Sequence, residues 1–278
     1  MIKLLILGPT GSMGKLISEL ALKDEEIEIV AACGIEHIGT PLGSLVAVED
    51  VNNVIIKNIE DLEEIIQETR PDVVVDFTLA NATEKNCLIC VKKGVRCVIG
   101  TTALSQEFLL HFEKLVKENN APAVISPNMA TGMNIFFEIG KKLSHYLKDW
   151  DIEIIEAHHH RKIDAPSGTA LKIGTLIGEA IDSDFETIVK YGRSKGPNKR
   201  EIGAQNEIGM HSIRAGDIVG DHIVLYAGRG ERIELKHQAH NRYCFAEGAI
   251  KAIKFIARVK ESKIYSTDEV LGLSKEMR

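Results

Sequence analysis

Four apolar residues, Leu4-Leu5-Ile6-Leu7, run straight into Gly8-Pro9-Thr10-Gly11-Ser12-Met13-Gly14, and the apolar positions Leu16, Ile17, Leu20 and Leu22 then recur at helical spacing. A short continuous apolar run predicts a strand buried on both faces, as in the interior of a parallel sheet. Glycines allow a tight turn from that strand into the helix, where backbone N–H groups and the helix dipole can receive a pyrophosphate. A strand-glycine-helix unit therefore confines this part of the chain to an α/β design and points to a dinucleotide at the turn. The spacing is G-x-x-G-x-x-G rather than G-x-G-x-x-G, and a purely structural turn is the competing reading.

The same grammar repeats to about residue 125. Ile27 to Cys33, Val54 to Ile56, Val73 to Phe77, Cys97 to Ile99 and Ala123 to Ile125 read as strands. Helices are predicted over Asp61 to Glu68, stopping before Arg70-Pro71, and over Ala82 to Lys93 and Gln106 to Glu118. Alternation of this kind predicts a doubly wound parallel sheet. After Asn128 the pattern changes to β-rich segments, Ile152 to Glu156, Ile208 to Arg214, Ile223 to Ala227 and Ile233 to His237. Their partial alternation suits a mixed or antiparallel sheet with one wet or ligand-facing side. The polar stretch Asp184 to Asn206 reads as a mobile loop, and Phe245 to Val259 as an apolar helix returning to the first domain. The fold class is thus α/β, an N-terminal doubly wound (Rossmann-like) sheet followed by a second α+β domain on a mixed sheet.

A net charge of -6 with acids and bases interspersed offers no broad basic surface, which argues against nucleic acid as a partner. The apolar run before Gly8 is too short for a membrane span or a signal peptide, so a cytoplasmic protein is expected. Cys33, Cys87, Cys90, Cys97 and Cys244 are odd in number and sit in apolar surroundings, as reduced core thiols do.

Polar or small residues follow three strands, at Asp76-Phe77-Thr78, Gly100-Thr101-Thr102 and Ser126-Pro127-Asn128-Met129, where ligands of open α/β sheets bind. The second strand ends Cys33-Gly34-Ile35-Glu36-His37, with neither an acid at its tip for the ribose hydroxyls nor an adjacent Arg or Lys for a 2'-phosphate. The choice between NADH and NADPH is therefore open.

The densest chemistry lies in Glu156-Ala157-His158-His159-His160-Arg161-Lys162-Ile163-Asp164-Ala165-Pro166-Ser167-Gly168-Thr169-Ala170. Ser167 after Pro166 reads as a helix N-cap, leaving the N–H groups of Ser167, Gly168 and Thr169 for a carboxylate or phosphate. Histidines and a lysine beside such an anion seat suit proton transfer to a negative substrate. On an extended strand Glu156, His158 and His160 would share a face, which a metal could use; Arg161 and Lys162 oppose a cation there, and no metal is expected.

These motifs, Glu156-Ala157-His158-His159, Lys162 and Asp164 to Ala170, resemble the signature of the 4-hydroxy-tetrahydrodipicolinate (dihydrodipicolinate) reductase family. The glycine loop, the three strand ends, Gly132, Asn134 and Arg214-Ala215-Gly216-Asp217-Ile218-Val219-Gly220 occur in the family's order, so the resemblance covers essentially the whole chain. It implies hydride transfer from NADH or NADPH to a cyclic dicarboxylate, in lysine and diaminopimelate synthesis. It implies His158 as general acid, Lys162 as a second proton-handling or charge-stabilising group, and His159, Lys162, Ser167, Gly168 and Thr169 as the substrate seat, with Arg242 a weaker candidate. Cofactor contacts carry over to Gly8, Pro9, Thr10, Gly11, Ser12, Met13, Gly100, Thr101, Thr102, Ser126, Pro127, Asn128 and Met129. The implied domains are 1–128 plus 240–278 for the cofactor and 129–239 for substrate and assembly into a homotetramer. His160 and Arg161 receive no role. Another two-domain dehydrogenase would need a different catalytic set in the second domain, and a non-catalytic nicotinamide sensor would have no need of His158 and Lys162.

Overall fold

The computed structural model describes residues 1–46, 48 and 53–273. It divides into one unit of Met1–Thr131 joined by the chain from Tyr243 onward, and a second of Gly132–Arg242. Residues 274–278, which close the expected 240–278 segment, lie outside the described residues.

In β1 (Ile2–Leu7) side chains alternate between two apolar layers, Leu4 and Ile6 into one and Leu5 and Leu7 into the other, and all four are at most 2% exposed. Burying such a side chain contributes about 1.5–3 kcal/mol, so a strand apolar on both faces must sit between two helical layers. The chain supplies them with α1 (Ser12–Leu22), β2 (Ile27–Gly34), α2 (Leu42–Val46), β3 (Ile56–Asn58), α3 (Leu62–Thr69), β4 (Val73–Asp76), α4 (Ala80–Lys92), β5 (Arg96–Ile99), α5 (Gln106–Glu118) and β6 (Ala123–Ile125). Ile17 and Ala21 of α1 join the layer of Leu4, whereas α3, α4 and α5 give Leu62, Ile65, Cys87, Cys90, Phe108 and Phe112 to the other. Cys33, Cys87, Cys90 and Cys97 are buried free thiols, as their apolar context implied.

The second unit holds most of α6 (Thr131–Tyr146), then β7 (Asp151–His158), α7 (Gly168–Ala180), α8 (Phe185–Ile188), β8 (Val189–Tyr191), β9 (Ile208–Arg214), β10 (Gly220–Ala227) and β11 (Arg232–Ala239). The sheet order is β11-β10-β7-β9-β8, antiparallel on the β10 side of β7 and parallel on the β9 side. Ile152, Ile154, Met210, Val224 and Tyr226 are buried on the face that meets the helices, and Tyr226 donates to the Gly140 carbonyl at 3.0 Å. On the opposite face Ile155, Ile223 and Leu225 are half-buried and Ile213 is exposed.

The stretch read as a loop, Asp184 to Asn206, is a correction: it contains α8 and the edge strand β8. Phe185 is buried against Gly174, where a Cβ would overlap its ring, and Arg193 and Arg200 form ion pairs with Glu153 and Glu207. Those partners sit on β7 and just before β9, so local composition gave no sign of them.

The chain then returns to the first unit as α9 (Tyr243–Ile256), β12 (Ile264–Tyr265) and α10 (Thr267–Val270). Ala246, Ala249 and Ile253 of α9 join the layer of Leu4, and β12 pairs with β6. The seven-stranded sheet runs β12-β6-β5-β4-β1-β2-β3, parallel throughout, so the ends of β6, β5, β4 and β1 lie side by side.

Candidate active site

The glycine loop joins β1 to α1 as its sequence requires. Gly8 has φ +66°, a region open to glycine, and a Cβ at Gly14 would overlap the Gly8 carbonyl oxygen. Folding alone explains these two glycines. Gly11 differs, because a Cβ there would lie 3.5 Å from the Gly8 oxygen, an ordinary contact, yet Gly11 is the N-cap of α1 and provides no side-chain hydrogen bond. A Ser or Asp would normally cap such a helix; glycine leaves room for an anionic group against the helix start, which fits a dinucleotide phosphate.

Beside the loop, Asp76 organises two neighbouring strand ends. Its Oδ1 accepts from the Thr78 N–H and hydroxyl, both at 2.7 Å, and from the Thr83 hydroxyl at 3.0 Å. The Thr101 hydroxyl lies 2.7 Å from that of Thr83 and 3.1 Å from the Thr78 carbonyl, which it can donate to, while Thr102 is exposed. Ser126 is buried, with its hydroxyl 2.9 Å from the Asn128 carbonyl, and the Met129 side chain lies in the core.

In the second unit the strand register assembles the chemistry. Glu156 on β7 stands opposite His222 on β10 and Ser212 on β9, and His158 stands opposite Arg214. Glu156 follows Ile152 and Ile154 on the helix-covered face, so the apolar stripe of the strand turns polar at its last two inward positions. The Glu156 carboxylate is fully buried and fully partnered. Arg214 donates to Oε2 at 2.9 Å and Oε1 at 2.8 Å, His158 Nδ1 is 2.5 Å from Oε2, and the Ser167 N–H donates to Oε1 at 3.2 Å. Burial would push this carboxyl up, but hydrogen bonds from His158, Arg214 and Ser212 hold it at about 2.

The Ser167 N–H, expected to be open to a ligand, is therefore used within the protein. Ser167 still caps α7, accepting from the Ala170 N–H at 3.1 Å, and its hydroxyl lies 3.3 Å from His222 Nε2. Gly168 is exposed, and a Cβ there would meet nothing within 4 Å, so the helix start is open at that residue. His222 is 4% exposed, and its ring meets His158 edge-on with centroids 5.3 Å apart. Burial, reinforced by the nearby His158, pushes its pKa down to about 3, so it stays neutral.

His160 and Arg161, unassigned from sequence, have structural partners. His160 Nδ1 is 2.9 Å from the Gly216 carbonyl and Arg161 pairs with Asp217 at 2.7 Å, while the Ala215 N–H donates to the His158 carbonyl. The histidine run and Arg214-Ala215-Gly216-Asp217 thus clamp one another. His160 lies beyond the end of β7 in this turn, so it does not share a strand face with Glu156 and His158 as the metal reading required. Lys162 donates to Asp164 at 2.7 Å, and burial together with nearby Arg161 lowers the pKa of His159. Sequence reasoning missed the roles of Arg214 and Glu156 and missed His222 altogether. The two-residue spacing of Glu156 and His158 was the available signal, and the cross-strand register was not.

Two family models together match nearly the full chain. Residues 2–129 match the dihydrodipicolinate reductase N-terminus and residues 132–271 its C-terminus. The chain belongs to the dihydrodipicolinate reductase family. It is 44% identical to the 4-hydroxy-tetrahydrodipicolinate reductase of Methanosarcina barkeri over 98% of this chain and 100% of that one. It is likewise 44% identical to that of Methanocaldococcus jannaschii over 99% of each. Among solved structures, the dipicolinate-bound dihydrodipicolinate reductase from Paenisporosarcina sp. TG-14 superposes with a TM-score of 0.77 at 29% identity, covering 97% of this chain and 98% of that one. Membership in this reductase family, with its parallel nucleotide-type sheet, implies a nicotinamide cofactor. Among the described residues no helix is long and apolar enough to cross a membrane.

Proposed function

We propose that this chain reduces 4-hydroxy-tetrahydrodipicolinate to tetrahydrodipicolinate in lysine and diaminopimelate biosynthesis, consuming NADH or NADPH and a proton and releasing water. The observation that carries the chemistry is His158 held by a buried carboxylate beside the open start of α7. A bound nicotinamide supplies the hydride. The first unit offers its diphosphate the α1 start, with Gly8 to Met13 and the strand ends Gly100 to Thr102 and Ser126 to Met129 as contacts. Gly34 at the tip of β2 supplies neither a carboxylate nor a cation, which supports use of either cofactor.

Hydride arrival places electron density on a conjugated dicarboxylate ring. Lys162 and the α7 start stabilise that charge, and His158 delivers a proton to the neighbouring carbon. His159, Lys162, Gly168 and Thr169 hold the carboxylates, Arg242 assists, and Ser167 fixes the helix start from within. Residues 1–128 with 240–278 form the cofactor domain and 129–239 the substrate domain. The protein is expected in the cytoplasm, and the half-apolar open face of the second sheet supports a homotetramer built through it; light scattering that returns a monomer would remove the tetramer.

The purified protein should oxidise NADH or NADPH only when the condensation product of pyruvate and aspartate semialdehyde is present, assayed side by side with both cofactors. No substrate-dependent loss of absorbance with either one would sink the assignment. His158→Gln should lower turnover by about 10²–10⁴-fold with unchanged cofactor affinity, and native turnover would remove His158 from proton transfer.

A further inference from the structure

We propose that Glu156, clamped by Arg214, is a positioning residue that fixes the tautomer of His158 and reserves its Nε2 for the travelling proton. This rests on the reading of His158 as the proton donor. Glu156 Oε1 accepts from Arg214 and the Ser167 N–H, and Oε2 from Arg214 while facing His158 Nδ1. A carboxylate engaged on both oxygens by a guanidinium is an acceptor only, so the proton of the His158–Glu156 bond belongs to Nδ1. At 2.5 Å the two atoms are within hydrogen-bond reach. Nε2 is then the ring atom whose proton comes and goes.

The surroundings keep Nε2 usable. Gly220 begins β10 beside it, and a Cβ there would stand 3.2 Å from Nε2, inside the space a ligand atom needs. Neutral His222 packs against the same ring from β10, so no second imidazolium competes for the Glu156 charge. Arg214 comes from β9, the opposite neighbour of β7, and its Nη2 also donates to the Asp164 carbonyl at 2.6 Å. One guanidinium thereby ties the carboxylate behind His158 to the loop that carries Lys162. A plain cross-strand ion pair would need neither the Nδ1 contact nor a bare glycine at Nε2. Outer hydrogen bonds of this kind set ring orientation and tautomer at other histidine sites.

The test uses the full-length protein with ¹⁵N-labelled histidine, the His158 signals being assigned by their loss in His158→Gln. Neutral His158 should carry its proton on Nδ1 in the native protein, and a proton on Nε2 would overturn the proposal without Glu156→Gln having to fold. Glu156→Gln should shift that tautomer and lower kcat about 10–100-fold with cofactor affinity unchanged. The Glu156→Gln, His158→Gln double variant should be no slower than His158→Gln, because one residue acts through the other. Multiplying losses would overturn the proposal. Native turnover of His158→Gln would overturn the proton-donor reading instead, leaving the tautomer result standing, so the two failures are distinct.

Discussion

Asp76 at the end of β4 and Glu156 near the end of β7 are both carboxylates without exposed surface, and their pKa values shift in opposite directions. Burial dominates at Asp76 and raises its pKa, because its donors, Thr78, Thr83 and Cys87, are neutral. Burial also works against the Glu156 charge, yet hydrogen bonds from His158, Arg214 and Ser212 hold it at about 2. Asp76 is the more deeply enclosed of the two, and only Glu156 has a guanidinium partner. In the first unit the carboxylate gathers strand ends into a scaffold, and in the second it is an anion held against the His158 imidazole.

The hardest way to break this contrast is to neutralise Glu156. Glu156→Gln should cost about 3–5 kcal/mol in urea unfolding at neutral pH, because the Arg214 guanidinium loses its buried counter-charge. A loss below about 1 kcal/mol would mean that the pair is not charge-dependent.

Acid should separate the two units next. His222 titrates near 3 when folded and near 6.5 when unfolded, so the unfolded chain takes up the proton first and stability falls as pH drops from 6.5 towards 3. Glu156, near 4.5 unfolded and about 2 folded, contributes stability above 4.5 that is lost between 4.5 and 2. Asp76 runs the other way, since a raised folded pKa lets the folded protein protonate first and relieves its burial cost as pH falls. Together these amount to on the order of a few kcal/mol against the second unit. Hydrogen exchange at pH 7 and pH 4 should show peptides of Gly132–Arg242 losing protection before those of β1, β4 and β5; the reverse order would contradict the assignment of charge.

The smallest effect is expected at Asp76→Asn. The amide oxygen can still accept from Thr78 and Thr83 while the buried charge is gone, so the melting temperature at pH 7 should stay within the shift of about 1 kcal/mol or rise. A loss of about 3 kcal/mol would show that the ionised form holds those strand ends.

Much of the fold was legible because it rests on local rules. The apolar runs of β1 and β4 and the glycine turn before α1 each announce an element through their own neighbours. Asp184 to Asn206 was misread because Val189–Tyr191 is too short and polar to declare itself, and its supports, Glu153 and Glu207, lie outside it. In the site, His158, Lys162 and the Ser167 cap could be named from one continuous run. Arg214 and His222 could not, since only strand pairing carries them to Glu156.

By itself the sequence determined the strand-glycine-helix entry, the alternating α/β order, the change of architecture after Asn128 and the Ser167 cap of α7. These depend on periodicity, turn chemistry and spacing, which act over a few residues. The tertiary structure alone decided that the Ser167 N–H serves Glu156, that His160 and Arg161 clamp a turn, and that two carboxylates without exposed surface hold opposite tendencies. Partner charge and register are properties of segments distant in sequence, and only folding puts them within reach of one another.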